Sequence, residues 1–162
     1  MELNTPNTVQ IFERGKTRTV SREEAGLKPK GSLFISVHPR QDSLNWTSPM
    51  ADFDLSTNTI FAHQVKLIDV ADATVYPDSG EVTVEQNARM RTLQKAKLLA
   101  NRDTRYHNFH NATLNISSRN SYQGQGIYDY YDELGKVEPI NFDVIGVDST
   151  GQTFANGKIK GI

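Results

Sequence analysis

Apolar and polar residues alternate along most of this chain in short runs, and turn residues interrupt them. "SLFISVHP", residues 32–39, alternates with period two and is stopped by Pro39, the pattern of a half-buried strand. "RQDSLNWTSP" then reads as a loop. From residue 51 the dipeptides Thr57-Asn58, Ser79-Gly80, Arg119-Asn120, Leu134-Gly135 and Thr150-Gly151 recur, each followed by alternating positions. Setting Asn58, Gly80 and Gly151 in register aligns "TNTIFAHQVKLI", "SGEVTVEQNARM" and "TGQTFANGKIKG". Ile60, Val82 and Thr153 then match, as do Ala62, Val84 and Ala155, and Gln64, Gln86 and Gly157. All share one parity and so one face of a strand. "DATV", "NARM", "KAKL" and "NATL" echo a second pattern of polar, Ala, polar, aliphatic.

This regularity predicts an all-β fold, an elongated and repetitive β-jellyroll or β-solenoid of stacked strands over residues 32–162. Residues 1–31 are polar and end in Lys-Pro-Lys-Gly; they read as an edge strand, "TVQIF", plus a linker. One segment is ambiguous. Residues 88–101 are rich in helix formers and place Leu93, Ala96 and Ala100 at helical spacing. Read as a strand, the same segment puts Ala88, Met90, Thr92, Gln94, Ala96 and Leu98 on one face and Arg89, Arg91, Lys95 and Lys97 on the other. Strand is the preferred reading and helix the competing one.

Composition narrows the function classes. A chain of 162 residues fits one domain, and only 36% of them are hydrophobic, so much of the chain must face water. Mean hydropathy is −0.55. Eighteen basic and nineteen acidic side chains leave a net charge of −1, which offers no global attraction to nucleic acid or to an anionic membrane. The absence of cysteine excludes disulfides, thiolate catalysis and Cys-based zinc sites. No apolar run approaches the ~20 residues of a membrane-spanning helix. Glu2, Glu13 and Arg14 stand where a signal peptide needs an apolar stretch, and the "NGKIKGI" ending suggests a fragment of a longer, exported chain.

Few residues suggest chemistry. His107 and His110 sit near Asp103, but residues three apart on a strand point to opposite faces, so no metal site is expected. "DSG" at 78–80, "DST" at 148–150 and "YDYYDE" at 128–133 lack calcium-loop spacing and read as turns. Tyr122, Tyr128 and Tyr130 share a strand face with Gly124 and Gly126, either as cross-strand packing or as a sugar-stacking platform. The stripe Arg89, Arg91, Lys95 and Lys97 is a solvated face, paired with Glu81 and Glu85, or a contact for phosphate or lipid headgroups. No nucleophile elbow, phosphate loop, paired-carboxylate motif or dinucleotide fingerprint is present.

Three stretches carry a family likeness: Thr57-Asn58 with Ala62-His63-Gln64-Val65, Ser79-Gly80 with Val84-Glu85-Gln86-Asn87-Ala88, and Thr150-Gly151 with Ala155-Asn156-Gly157-Lys158-Ile159. Together they resemble the repeat of the OstA-like family, the periplasmic bridge proteins of lipopolysaccharide transport, over residues 51–162. The resemblance implies an open β-jellyroll whose apolar interior cradles acyl chains and whose edge strands join other β-domains. The expectation is therefore a non-catalytic β-repeat module of a larger periplasmic or cell-envelope protein, without cofactor, metal or nucleic-acid partner. Ile60, Ala62, Val82, Val84, Ala88 and Met90 would line the lipid groove, and the basic stripe would meet headgroups. An extracellular carbohydrate-binding or adhesive β-module using Tyr122, Tyr128 and Tyr130 is the alternative. An enzyme around Asp103, His107 and His110 is the third reading.

Overall fold

The computed structural model describes residues 31–101 and 107–157 throughout, and the backbone of strands within 8–13 and 16–21. In chain order its strands are β1 (Thr8–Glu13), β2 (Lys16–Ser21), β3 (Ser32–Ile35), β4 (Asn45–Ser48), β5 (Met50–Asp54), β6 (Thr59–His63) and β7 (Ile68–Val70). There follow β8 (Ala73–Tyr76), β9 (Val82–Glu85), β10 (Arg89–Met90), β11 (Leu93–Ala100), β12 (His107–Ser118), β13 (Ser121–Tyr131), β14 (Val137–Val147) and β15 (Thr153–Gly157). The fold is all-β, and three single 3₁₀ turns at 39–41, 78–80 and 86–88 are the helical elements among the described residues.

β1 and β2 form an antiparallel hairpin, where the sequence pattern had marked a single strand, and β3 and β4 form another. A seven-stranded sheet in the order β15-β14-β13-β12-β11-β8-β7 curls into a half-barrel. A four-stranded sheet has the order β10-β9-β6-β5. The chain crosses between these sheets at Arg91 and Thr92, where the Arg91 amide still donates to Thr83 O (2.9 Å) before β11 begins.

One apolar cluster fills the space between the sheets. Ala62, Val82 and Met90 come from the smaller sheet, Ile68, Val75, Leu98, Leu114, Tyr122 and Ile145 from the larger, and Leu44 and Trp46 from the second hairpin. Period-two alternation puts them there: along β12, Ala112, Leu114 and Ile116 are buried while Asn111, Asn115 and Ser117 are exposed.

Bulges reset this alternation twice. Asn111 (φ 48°) sits at a register shift, so Phe109 and Ala112, three apart, both face inward. Lys95 (φ 51°) does the same in β11, bringing Leu93 and Ala96 to the core. That extra residue explains the helical spacing in the sequence of 88–101. The segment forms two strands, β10 and β11, in different sheets, and in β11 Gln94, expected on the inner face, is exposed while Leu93 is buried in its stead.

The three segments aligned by their turns are all strands, β6, β9 and β15, each entered from a left-handed residue: Asn58 (φ 50°), Gly80 (φ 70°) and Gly151 (φ 84°). Their mutual arrangement differs from a stack of equivalent rungs. β6 and β9 are antiparallel neighbours, pairing Ile60 with Val84 and Ala62 with Val82, and β15 edges the other sheet. What the segments share is local turn chemistry. Aspartates supply part of it in the turns of Gly151 and Asn58 and in one other: Asp148 accepts from Thr150 N (2.9 Å) and Gln152 N (3.0 Å), Asp54 from Ser56 N (2.9 Å), and Asp132 from Leu134 N (2.9 Å) and Lys136 N (2.8 Å). These hydrogen bonds hold the Asp54 and Asp148 carboxyls below their ordinary values.

A long-range polar link ties the half-barrel's edge to its far side. Asp72, in the turn between β7 and β8, accepts from Thr153 N (3.0 Å) and Thr153 Oγ1 (2.5 Å). The Thr153 hydroxyl proton is then used, so the Tyr122 hydroxyl, 2.5 Å away, donates to Thr153 Oγ1.

Candidate functional site

The β3–β4 hairpin lies against the four-stranded sheet and leaves a cleft. Phe34 and Trp46, directly paired across the hairpin, stack with ring centroids 6.1 Å apart and planes within 5°. With Phe53, Ile60, Val84 and Ala88 they line an apolar cleft of about 370 Å³. Val37 and Phe53, 96% and 57% exposed, stand on its wall with Ile35 and form an apolar patch in water. Trp46 is only 7% exposed, and its indole N–H is buried with no acceptor. Such an orphan donor costs about 1–3 kcal/mol in desolvation.

Gln41 fixes the cleft's inner end. It is buried, its Nε2 donates to Ala88 O (2.6 Å), and its Oε1 accepts from Ser36 Oγ. Gln41 and Asn87 are also walls of a second, polar cleft of about 320 Å³ that holds His38, Arg40 and Arg89. Arg40 and Arg89 are exposed. An apolar cleft and a basic one thus lie side by side, with Gln41 and Asn87 as their shared wall.

The sequence-derived candidates scatter relative to this site. Ile60, Val84 and Ala88 line the apolar cleft; Ala62, Val82 and Met90 are buried in the core beneath. Of the basic stripe, Arg89 reaches the polar cleft, whereas Arg91 donates to Glu85 Oε1 (3.0 Å). Lys95 sits on the bulge, and Lys97 lies on the outer face of the large sheet, in register with Tyr76. The switch between sheets and the bulge together break the stripe. Tyr122 is a correction of another kind: it is 2% exposed and offers no ring to a sugar. Tyr128 is half-buried in an aromatic cluster with Phe109 (5.5 Å) and Phe142 (6.2 Å), and Tyr130 is exposed.

His107 and His110 occupy opposite faces of β12, as period two requires. His107 lies 6.0 Å from the Tyr128 ring, and His110 Nε2 is 3.0 Å from Asp129 Oδ1 on the outer face. Asp103 lies outside the described residues. Among the described residues no group of three or more His, Cys, Asp or Glu could hold a metal ion, and no helix is long and apolar enough to cross a membrane.

Phe34, Trp46, Phe53 and Arg40 belong to the site and were not singled out from sequence. A weak signal existed: "SLFI" and "NWTS" are both short runs of strand-forming residues, but the segment 36–44 between them is longer than a hairpin turn announces. Comparison with protein-family models, with curated proteins and with solved structures finds no match for this chain.

A second polar cluster lies on the four-stranded sheet. His63 Nδ1 is 2.6 Å from Glu81 Oε2 and its Nε2 is 2.8 Å from Asp52 Oδ2. A neutral imidazole has one N–H, so satisfying both carboxylates requires the imidazolium, and the bonds to Asp52 and then Glu81 raise the His63 pKa above its ordinary 6.5. A raised folded-state value gives stability that is complete below pH 6.5 and lost as pH rises through the folded pKa. The melting temperature of wild type should therefore fall with pH above this point relative to His63→Gln. Parallel curves for the two proteins would contradict the assignment.

Proposed function

We propose that this chain is a non-catalytic β-module of a larger cell-envelope protein that binds an anionic amphipathic lipid. Its acyl chain lies against Phe34, Trp46, Phe53, Ile60, Val84 and Ala88, and its anionic head lies against Arg40 and Arg89. One observation carries the reading: an open apolar cleft edged by the exposed Val37 and Phe53 adjoins, across the shared walls Gln41 and Asn87, a cleft bearing two exposed arginines. Apolar area removed from water supplies the affinity, about 0.8 kcal/mol per buried methylene. Arginine selects a phosphate or carboxylate head, for which its planar fork is suited.

The likeness of "SGEVTVEQNA" and its two counterparts to OstA-like proteins agrees with this ligand class, and lipopolysaccharide is the envelope lipid we propose for it. The elongated jellyroll belongs to the same proposal: β5 edges the four-stranded sheet and β15 the seven-stranded one, and these edges are where neighbouring β-domains would extend the sheets.

Lysophosphatidic acid and an uncharged monoacylglycerol with the same chain, both below their micellar concentrations, test the division of labour. Phe53→Asp should weaken both by about tenfold or more, because it places a charge in the chain's path. The double variant Arg40→Glu and Arg89→Glu should weaken only the phosphate-bearing lipid, by about tenfold. Failure of wild type to bind either lipid would end the proposal.

A further inference from the structure

The outer face of the half-barrel carries a second cleft, about 380 Å³, on residues unconnected with the lipid cleft. Tyr76 of β8 and Tyr131 of β13, 38% and 64% exposed, stand at two sides of it. Between them lie Lys97, Asn108, His110 and Asp129. The geometry points to a binding site for a neutral oligosaccharide.

Three features select that ligand class. Two tyrosine rings at the sides of one cleft offer flat, partly apolar surfaces to a ligand, and the C–H faces of a pyranose stack on aromatic rings in this way. His110 Nε2 lies 3.0 Å from Asp129 Oδ1 and fixes that carboxylate, whose other oxygen is left to accept from sugar hydroxyls, and the Asn108 amide adds a donor and an acceptor. Lys97 and Asp129 carry opposite charges, so the cleft presents no net field to favour an acidic glycan.

The span fits a chain of sugars better than one. β8 and β13 are separated by β11 and β12, so the strands carrying Tyr76 and Tyr131 lie three strand spacings apart along the sheet, roughly 14 Å. This site replaces the tyrosine platform expected from sequence. Tyr131, on the opposite parity from Tyr122, Tyr128 and Tyr130, provides the exposed ring, and Tyr76 from a distant segment provides the other.

Calorimetric titration with chitotetraose, cellotetraose and maltotetraose tests the site on the full chain. At least one should bind to wild type; Tyr131→Ala should weaken it about tenfold, and Tyr131→Phe should keep most of the affinity because the ring is retained. Tyr131 is exposed, so an unchanged melting temperature checks that the variant is folded. Phe53→Asp should bind the saccharide like wild type, which separates this site from the lipid cleft. The inference falls if none of the three sugars binds, if the affinity survives the Tyr76→Ala and Tyr131→Ala double variant, or if Phe53→Asp abolishes it.

Discussion

Gly124→Ala is expected to destabilise the domain by about 3 kcal/mol or more, the largest effect foreseen for so small a change. Gly124 lies in the middle of β13, paired with Leu114 of β12 on one side and Ile145 of β14 on the other. A methyl group there would sit 1.9 Å from Thr113 O and 3.0 Å from Leu114 Cα. Both obstacles are backbone of a central strand, so relief would require β12 and β13 to part. Gly126 on the same strand makes the comparison: its added methyl would meet Ala112 Cβ at 3.2 Å and Ile145 Cδ1 at 3.4 Å, so Ile145 can rotate away and the backbone carrying Ala112 need yield by only a few tenths of an ångström. Urea denaturation should show a much lower midpoint for Gly124→Ala than for Gly126→Ala, with the slope unchanged. Equal midpoints would mean that the β12–β13 spacing is wider than described.

Tyr122→Ala is expected to cost about 3–5 kcal/mol, since it empties the site of a large side chain buried in the core cluster. Tyr122→Phe keeps the ring and removes only the donor to Thr153, for about 1–2 kcal/mol. The hydroxyl also has a pH signature. Burial pushes the Tyr122 pKa up to about 12 from an ordinary 10.0, and the nearby Asp72 carboxylate adds to the rise. The unfolded chain releases the proton near the ordinary value and the folded chain holds it, so stability falls as pH rises from about 10 to about 12. Chemical denaturation across that range should show the decline in wild type and a smaller one in Tyr122→Phe, whose remaining slope comes from other groups.

The β-character of the chain was legible because alternation is a local property. Strands β3, β9 and β12 follow from residues a few positions apart, and the left-handed turn residues Asn58, Gly80 and Gly151 announce themselves by type. Parity failed wherever a bulge entered. Lys95 and Asn111 look like ordinary strand residues in sequence, yet their positive φ shifts every neighbour on one side to the other face. The site depended on a longer reach still. Trp46 meets Phe53, Ile60 and Ala88 only because the second hairpin settles on the four-stranded sheet, and Arg89 joins Arg40 only because the 3₁₀ turn around Gln41 is bonded to Ala88. Tyr122 and Tyr131, at opposite ends of one strand, show the same limit: parity separates their faces, and only the cover over each face decides which is wet.

Trp46 is the sole tryptophan in the chain, so its emission reports directly on the apolar cleft. Titration with a lysophosphatidic acid brominated along its acyl chain tests the central claim, because bromine quenches an indole only at close range. Saturable quenching of Trp46 that is lost in Phe53→Asp is the predicted result. Lipid that binds while Trp46 emission stays unchanged would place the ligand elsewhere and contradict the account.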